Sequence, residues 1–269
     1  MLSYRHLYHA GNFADVHKHL AWIAGIRALQ KKPSAMCLFD VYAGAGSYDL
    51  SSLEAEKTRE WQDGIGRLQG RSDAPESVRD YLHLLGEDRH RYPGSPLLGA
   101  RCLREQDRLV CFELHPQDHA LLKALFRDEP RVHVHRRDAR EGLAALVPPR
   151  ERRGLVLIDP PYERDAEYAE VPAMLKASLA RWPTGSCLVW YPLLAAARHE
   201  QMLAALAALQ PKSLFVHELR LPRKTSGLLG SGLAWLNPPW QVDELLGEAV
   251  DWAAALLDGR TSAKWLIQG

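Results

Sequence analysis

The sequence lacks the features that mark secreted or membrane-bound proteins. It has only four cysteines in 269 residues, and their scattered spacing indicates neither a disulfide framework nor a zinc knuckle. No stretch approaches the roughly 18 unbroken apolar residues that a membrane-spanning helix needs. The first residues also lack the apolar core of a secretory signal. We therefore expect a cytoplasmic protein that has no membrane association.

A strong net charge is also missing. The formal charge is only +1, so no overall field attracts the chain to nucleic acid, and any such contact must come from local basic clusters. The candidate clusters are Arg136-Arg137, Arg150 with Arg152-Arg153, and Arg220 with Arg223-Lys224. Each cluster alone is more typical of a solvated surface, and only its position relative to a site could give it a function.

Metal-ligand spacing is weak as well, although the chain has 12 histidines. His115 and His119 have the i, i+4 spacing of a zinc-binding helix, but the residues between them lack the glutamate of that motif. His17 and His19 flank Lys18, whose charge disfavours a neighbouring cation. We expect no metal site.

The order of apolar segments predicts an α/β fold. Short runs rich in β-branched residues alternate with helical periodicity, which is typical of a mostly parallel sheet covered by helices. The predicted strands are 36–42, 108–113, 132–135, 154–159, 187–191, 214–219 and 232–236. Seven strands that end in a hairpin are the plan of a Rossmann-like class I methyltransferase.

One segment interrupts this alternation. Residues 51–91 are charged, have helical spacing of apolar residues and contain no strand candidate. They make the connection between the first two core strands much longer than a usual β-α-β crossover connection. We predict a small inserted helical subdomain at 51–91, with residues 1–50 and 92–269 forming the Rossmann-like domain.

The first chemical motif follows the first predicted strand, at Asp40-Val41-Tyr42-Ala43-Gly44-Ala45-Gly46. Small residues let the backbone approach a ligand closely, and a carboxylate at the strand tip could hold a cationic amine. A tight turn without a ligand would give the same pattern. The third glycine of a dinucleotide motif and the Gly-Lys-Ser/Thr end of a P-loop are absent, which disfavours those two sites.

Acidic residues follow the next two strands. Glu113 ends the second strand, where a carboxylate could accept hydrogen bonds from ribose hydroxyls. Asp138 follows the third strand and could accept from an adenine amine, while the Ala139 amide meets a ring nitrogen. Glu113 could instead lie on the surface, and Asp138 could also cap the helix that follows.

The most specific motif is Asp159-Pro160-Pro161-Tyr162, which follows a buried strand. The prolines fix φ and donate no hydrogen bond, so the Asp159 carboxylate and the Pro160 carbonyl could both accept from one NH2 group. Two such acceptors favour the geometry and positive charge that develop when an aromatic amine attacks a methyl group. Tyr162 could stack on the target base. The motif therefore predicts transfer of a methyl group from S-adenosylmethionine to the exocyclic amine of adenine.

The chain also resembles the RlmJ family, which methylates N6 of one adenine in 23S ribosomal RNA. The resemblance runs from end to end and is carried most specifically by the opening residues 1–19 and by Tyr92-Pro93-Gly94-Ser95-Pro96. Further matching segments are Ala43-Gly44-Ala45-Gly46, Leu103–Asp107, Glu113-Leu114-His115-Pro116, Arg152-Arg153-Gly154, Asp159–Tyr162, Trp190-Tyr191-Pro192 and Asn237–Trp240. The resemblance implies the same Rossmann-like fold, with a helical insertion.

The resemblance also implies roles for individual residues. Positions expected to line the cofactor site are His19, Tyr42, Ser95, Glu113, Asp138, Ala139 and Asp159. Asp159 is expected to accept the amine proton, Tyr4 to contact RNA, and the segment through His6 and Lys18 to close over the base. We expect Lys18 to face RNA phosphates, because it would repel a cationic cofactor. The sequence departs from the family at Tyr42, usually histidine, and at Ala139, often glycine.

Alternatives remain open at this point. A DNA adenine-N6 methyltransferase would use the same motif, but it usually has a larger recognition region for a flipped base. Asp rather than Asn at position 159 disfavours a protein glutamine substrate. A non-catalytic nucleoside-binding factor in ribosome assembly is also possible, although the intact Asp159–Tyr162 motif argues against it. We expect a monomer whose substrate is free or partly assembled 23S ribosomal RNA.

Overall fold

The β-branched runs form the centre of a twisted sheet covered by helices on both faces. The computed structural model describes residues 6–269 of the chain. Its strands are β1 (Cys37–Asp40), β2 (Ser47–Asp49), β3 (Arg91–Pro93), β4 (Arg108–Phe112), β5 (Val132–His135), β6 (Gly154–Ile158), β7 (Ser186–Leu193), β8 (Leu214–Arg220), β9 (Gly230–Leu236) and β10 (Arg260–Ile267). Its helices are α1 (Phe13–Gln30), α2 (Leu53–Thr58), α3 (Glu76–Leu85), α4 (Ser95–Cys102), α5 (Pro116–Leu125), α6 (Ala139–Leu146), α7 (Glu167–Arg181), α8 (His199–Ala208) and α9 (Val242–Leu256).

The main sheet has the strand order β10-β8-β9-β7-β6-β1-β4-β5, and β2 pairs with β3 in a separate ribbon. Strands β5, β4, β1, β6 and β7 are parallel, whereas β9 is antiparallel to β7 and β8. The predicted α/β, mostly parallel fold with its β8–β9 hairpin is confirmed. The order of chain crossings reverses at β1, where a doubly wound sheet places its ligand.

The predicted number of seven strands is wrong by one, because β10 adds an eighth strand at the edge, antiparallel to β8. This strand is exposed along most of its length. It was missed because its sequence, Arg260–Ile267, has neither a continuous apolar run nor a clean alternation. The hairpin is consequently not the last part of the sheet in the chain.

Helix α1 lies in the middle of one layer and carries several polar side chains into the core. Asn12 caps it by accepting hydrogen bonds from the amides of Ala14 and Asp15 at 2.9 and 3.0 Å. The helix is buried from Phe13 to Ile26. At Gly25 a Cβ atom would lie 2.7 Å from side chains of the sheet, so glycine permits this close approach. The polar residues of the first turns of α1 are therefore held rigidly.

Residues 51–91 contain helices α2 and α3 and the short 3-10 turn Ile65–Arg67, and β3 begins at their end. Ile65, Val78 and Tyr81 are buried in the same hydrophobic core as α1. The division of the chain into an inserted subdomain and a Rossmann-like domain stays a prediction. None of the helices within residues 6–269 is long and apolar enough to cross a membrane.

Candidate active site

A cavity of about 990 Å³ opens at the carboxyl edge of the sheet. The ends of parallel strands meet at one edge, so loops that are far apart in sequence converge there. The predicted site residues that line it are His6, Lys18, His19, Tyr42, Ser95, Glu113, Asp138, Ala139, Asp159, Pro160 and Tyr162. Tyr4 lies outside the described residues. The structure thus brings together every predicted residue that it describes.

The turn after β1 forms one wall. Gly44 and Gly46 have φ values of 60° and 79°, which glycine adopts at little cost. A Cβ at Gly44 would lie 2.4 Å from the Tyr48 hydroxyl. The Gly44 amide donates to a carboxylate oxygen of Glu113 at 2.8 Å. This bond fixes the glycine turn to the end of β4.

Glu113 is held by the backbone on both oxygens. Its second oxygen accepts from the His115 amide at 2.6 Å. Burial raises the pKa of Glu113, although the two amide hydrogen bonds oppose the shift. Each carboxylate oxygen has two lone pairs, so both can still accept from neighbouring hydroxyl groups of a ligand.

Asp138 and Ala139 form the far end of the cavity. Asp138 caps α6 by accepting from the Arg140 amide at 2.9 Å, and the Arg140 guanidinium bonds both carboxylate oxygens at 3.0 and 2.8 Å. The Arg140 side chain holds the pKa of Asp138 below its usual range. Ala139 is the first residue of α6, so its amide has no acceptor within the helix. Asp138 can therefore cap α6 and still, together with the Ala139 amide, contact a ligand in the cavity.

The Asp159–Tyr162 turn follows β6 and faces the same cavity. Tyr162 has a φ of 49°, which is unusual for an aromatic residue and marks a constrained backbone. Its hydroxyl donates to the Trp190 carbonyl at 2.9 Å, and its ring centroid lies 4.6 Å from that of Tyr168. Contacts with β7 and α7 therefore hold the turn.

Lys18 does not project toward solvent, as the expected phosphate contact would require. Its ammonium lies 2.5 Å from Asp159 and 2.8 Å from Asp15, and the residue is 4% exposed. Burial alone would lower the pKa of Lys18, but the two carboxylates outweigh it and keep the pKa well above its usual value. The expected phosphate contact does not fit an ammonium that two carboxylates already hold, and no sequence pattern indicates that Asp15 and Asp159 converge on Lys18.

Two buried polar groups have unsatisfied atoms: His19, which lines the cavity, and Asp40, which directly precedes the lining residue Val41. His19 Nδ1 bonds the Tyr92 hydroxyl at 2.9 Å, whereas its Nε2 has no hydrogen-bond partner among the described residues. Both oxygens of Asp40 also lack a partner there; Ser95 and the Tyr42 amide face the carboxyl but do not reach hydrogen-bonding geometry. Since buried polar atoms are rarely left unsatisfied, these atoms indicate a polar ligand.

Burial lowers the pKa of His19 to about 3 and raises the pKa of Asp40 to about 7. His19 is consequently neutral near pH 7. If the Tyr92 hydroxyl donates to Nδ1, Nε2 carries the hydrogen and presents a donor to the ligand. Asp40 is the complementary group, since a nearby cation would favour its charged form.

Some residues of this site were not predicted from the sequence. Asp15 is 2% exposed and bonds His6 at 2.9 Å as well as Lys18. Burial raises the pKa of Asp15, but His6 and Lys18 outweigh it and hold the pKa well below the usual range. The available signals were its position three residues after Asn12, in the first turn of α1, and its place in the opening segment that carries the family resemblance. Trp190 also lines the cavity, beside the Asp159–Tyr162 turn.

This sheet order, with an acidic strand end, a glycine turn and an Asp-Pro-Pro-Tyr turn around one cavity, defines a Rossmann-like methyltransferase. A sequence model described as "Ribosomal RNA large subunit methyltransferase D, RlmJ" matches residues 33–267. The chain belongs to this family, the RlmJ ribosomal RNA methyltransferases.

Individual relatives agree. A "Ribosomal RNA large subunit methyltransferase J" of Haemophilus influenzae is 36% identical and covers 100% of this chain and 98% of its own length. The protein of the same name from Escherichia coli is 37% identical and covers 99% of each. A crystal structure of a Legionella pneumophila protein, 33% identical, has a TM-score of 0.89 over 95% of this chain and 98% of its own. The similarity thus extends over the whole fold.

Proposed function

We propose that this enzyme transfers the methyl group of S-adenosylmethionine to N6 of one adenine in 23S ribosomal RNA. The observation that carries the proposal is the single cavity in which Asp159 and Pro160 face the residues expected to hold the cofactor. We further propose that it acts as a cytoplasmic monomer on free or partly assembled RNA. The inserted 51–91 subdomain and the residue roles below are parts of the same proposal.

The residues that line the cavity, together with Asp40 behind Val41 in the chain, fit S-adenosylmethionine. The methionine end carries an ammonium and a carboxylate, which match the unsatisfied Asp40 oxygens and the His19 Nε2 donor. At the nucleoside end, Glu113 accepts from ribose hydroxyls, Asp138 from the adenine amine, and the Ala139 amide donates to a ring nitrogen. Ser95 and Tyr42 complete the wall. The bound cofactor supplies an electrophilic methyl on a sulfonium, whose loss leaves a neutral thioether.

Asp159 and the Pro160 carbonyl hold the target amine. Both accept hydrogen bonds from N6, which keeps the nitrogen lone pair directed at the methyl group and stabilises the charge that forms on nitrogen. The Lys18 ammonium fixes the Asp159 carboxylate from the other side at 2.5 Å. Its charge is balanced by Asp15, so the Lys18 site is not a bare cation beside a cationic cofactor. This arrangement removes the electrostatic objection to a lysine near the cofactor.

The target base needs an apolar enclosure beside these acceptors. Tyr162 and Trp190 line the cavity with their ring centroids 6.0 Å apart. Stacking of an aromatic face on the adenine would hold N6 in line with the methyl group. His6, whose ring lies 4.9 Å from that of Tyr48, belongs to the segment that we propose closes over the base together with Tyr4.

Replacing Asp159 with Asn tests the catalytic role. The substitution keeps the size and one acceptor oxygen but removes the charge, and we expect kcat to fall by about 10²-fold or more. Asp165→Asn is the matched control, since this residue lies in the same loop as Asp159, is 65% exposed and pairs with Arg198. The measurement is transfer of labelled methyl groups to deproteinised ribosomal RNA.

Different acceptors separate the alternatives. Methylation of duplex DNA in preference to ribosomal RNA would favour the DNA enzyme, and absence of transfer to either would favour a binding factor without catalysis. Turnover by Asp159→Asn equal to that of the wild type would refute the role of this carboxylate. Mapping methylated adenines in ribosomal RNA from a deletion strain would identify the target nucleotide.

A further inference from the structure

The three basic clusters of the sequence lie in different places relative to the cavity. Arg150, Arg152 and Arg153 precede β6 and therefore lie at the amino edge of the sheet, opposite the site. Arg153 donates to the carbonyls of Ser34 and Leu29 at 2.9 and 2.6 Å, which is a structural role. This cluster is not among the lining residues.

The other two clusters reach the carboxyl edge. Arg137 lines the cavity beside Asp138, at the nucleoside end proposed for the cofactor. Arg223 and Lys224 line it from the loop between β8 and β9, whereas Arg220 lies at the end of β8 and bonds Glu218 at 2.8 Å. Of the residues in the three clusters, only Arg223 and Lys224 line the cavity from an element other than the one at its nucleoside end.

The β8–β9 loop is joined to the end of β7, the strand that carries Trp190. Its Leu229 amide donates to the Leu193 carbonyl at 2.9 Å, and β7 ends at that residue, three positions after Trp190. The Lys224 ammonium lies 5.7 Å from the centre of the Phe13 ring. Phe13 begins α1, the helix that carries Lys18 to Asp159. Together with the position of both cations in the cavity lining, these contacts put the loop on the side of the cavity that is formed by α1 and β7.

The acids near these two cations are shared with other basic or polar groups. Asp258 is 2.9 Å from Arg67 but 3.9 Å from Arg223, whose side chain is 85% exposed. Arg67 also bonds Asp63 at 3.0 Å. Glu60 accepts from Asn12 at 2.9 Å and contacts His9 at 3.1 Å. Each of these acids has a closer partner than Arg223 or Lys224, so an anionic ligand can compete for the two loop cations.

We infer that Arg223 and Lys224 bind backbone phosphates of the RNA strand that flanks the target adenine. This inference rests on the proposed function, because the strand must enter from the side on which its base reaches Asp159. A base drawn into an enclosed pocket leaves its flanking phosphates at the mouth, where exposed cations replace condensed counterions. The β8–β9 loop would thus bind the phosphates that the sequence analysis had expected Lys18 to contact.

The test is the salt dependence of RNA binding by the full chain. Arg223→Gln with Lys224→Gln removes two charges and keeps the side-chain stems. Binding of deproteinised 23S RNA, measured with S-adenosylhomocysteine present from about 50 to 200 mM KCl, should lose about 0.7 of its log–log salt slope for each phosphate contact removed. The expected result is a slope shallower by about 0.7 to 1.4 and weaker binding at low salt.

The matched control is Arg127→Gln with Arg150→Gln. Both side chains are 80% exposed, lie at the amino ends of β5 and β6, and are absent from the cavity lining. This double variant should keep the wild-type slope, and both variants should bind S-adenosylhomocysteine as the wild type does. Equal slopes for the two double variants would overturn the inference. Failure of the proposed function is a separate result, namely a wild-type protein that binds RNA but transfers no methyl group to it.

Discussion

Two histidines on the same turn of α1 show how differently buried polar residues are used. His17 and His19 are both 0% exposed, and burial lowers the pKa of each. His17 bonds Ser231 at 2.9 Å and His217 at 3.0 Å, so both of its ring nitrogens are satisfied. His19 has one satisfied nitrogen and one without a partner among the described residues.

Burial and pKa alone do not separate a structural histidine from a ligand-binding one. Hydrogen bonding does separate the two kinds, because a buried polar atom without a partner costs free energy that a bound ligand can restore. The His17 cluster faces β8 and β9, and Ser231 also accepts from the Trp190 indole at 2.9 Å. The His19 ring faces the cavity. We therefore expect loss of His17 to reduce stability and loss of His19 to reduce cofactor affinity.

The largest effect is expected for His17→Leu. The change removes two buried hydrogen bonds and leaves His217 and the Ser231 hydroxyl short of a partner, which should lower the free energy of unfolding by about 2–4 kcal/mol. Urea titration would measure it. Affinity for S-adenosylhomocysteine, measured well below the unfolding transition, should stay close to wild type. A stable variant with weakened ligand binding would reverse the assignment.

For His19→Leu the pattern should be opposite. Tyr92 keeps its 2.9 Å bond to Tyr81, so little is left unsatisfied in the core. A lost hydrogen bond to a charged ligand group is worth about 1.5–3 kcal/mol, and the dissociation constant for S-adenosylhomocysteine should rise by roughly tenfold or more. Isothermal titration would measure this change. Unchanged affinity would remove His19 from the cofactor site.

A smaller effect concerns pH. Asp40, with its pKa raised to about 7 by burial, is mostly neutral at pH 6 and mostly charged at pH 7.5. An ammonium ligand binds the charged form better, so binding should release a proton, and affinity for S-adenosylhomocysteine should rise severalfold over this interval. Lys18, Asp159 and Cys111 are the charged or titratable groups that act on Asp40.

At higher pH the α-amino group of the ligand itself loses its proton, which should reverse the trend. Asp40→Asn is the control, and it should abolish the rising limb while leaving the falling one. Proton uptake or release can be read from calorimetry in buffers of different ionisation enthalpy. A rising limb that survives in Asp40→Asn would show that another group is responsible.

The positions of the strands could be predicted from the sequence wherever a strand is buried on both faces. β1, β4 and β6 are continuous apolar runs, and their ends carry Asp40, Glu113 and Asp159 to a common edge. Strand β10 could not be predicted from the sequence, because an exposed edge strand needs no apolar pattern. It gains its hydrogen bonds from β8, about 40 residues earlier in the chain. The local hydrophobic pattern therefore predicted the core strands of the sheet but not its edge strand, β10.

The sequence by itself determined the methyl-transfer motif, because two prolines after an aspartate at the end of a buried strand constrain the backbone regardless of the surroundings. It also determined which strand ends bear carboxylates. Only the tertiary structure decided where charges and unmade hydrogen bonds lie: Lys18 between Asp15 and Asp159, His19 open toward the cavity and His17 closed against β8 and β9. Such pairings join residues up to 214 positions apart. Packing of the whole chain sets these distances, and no local pattern encodes them.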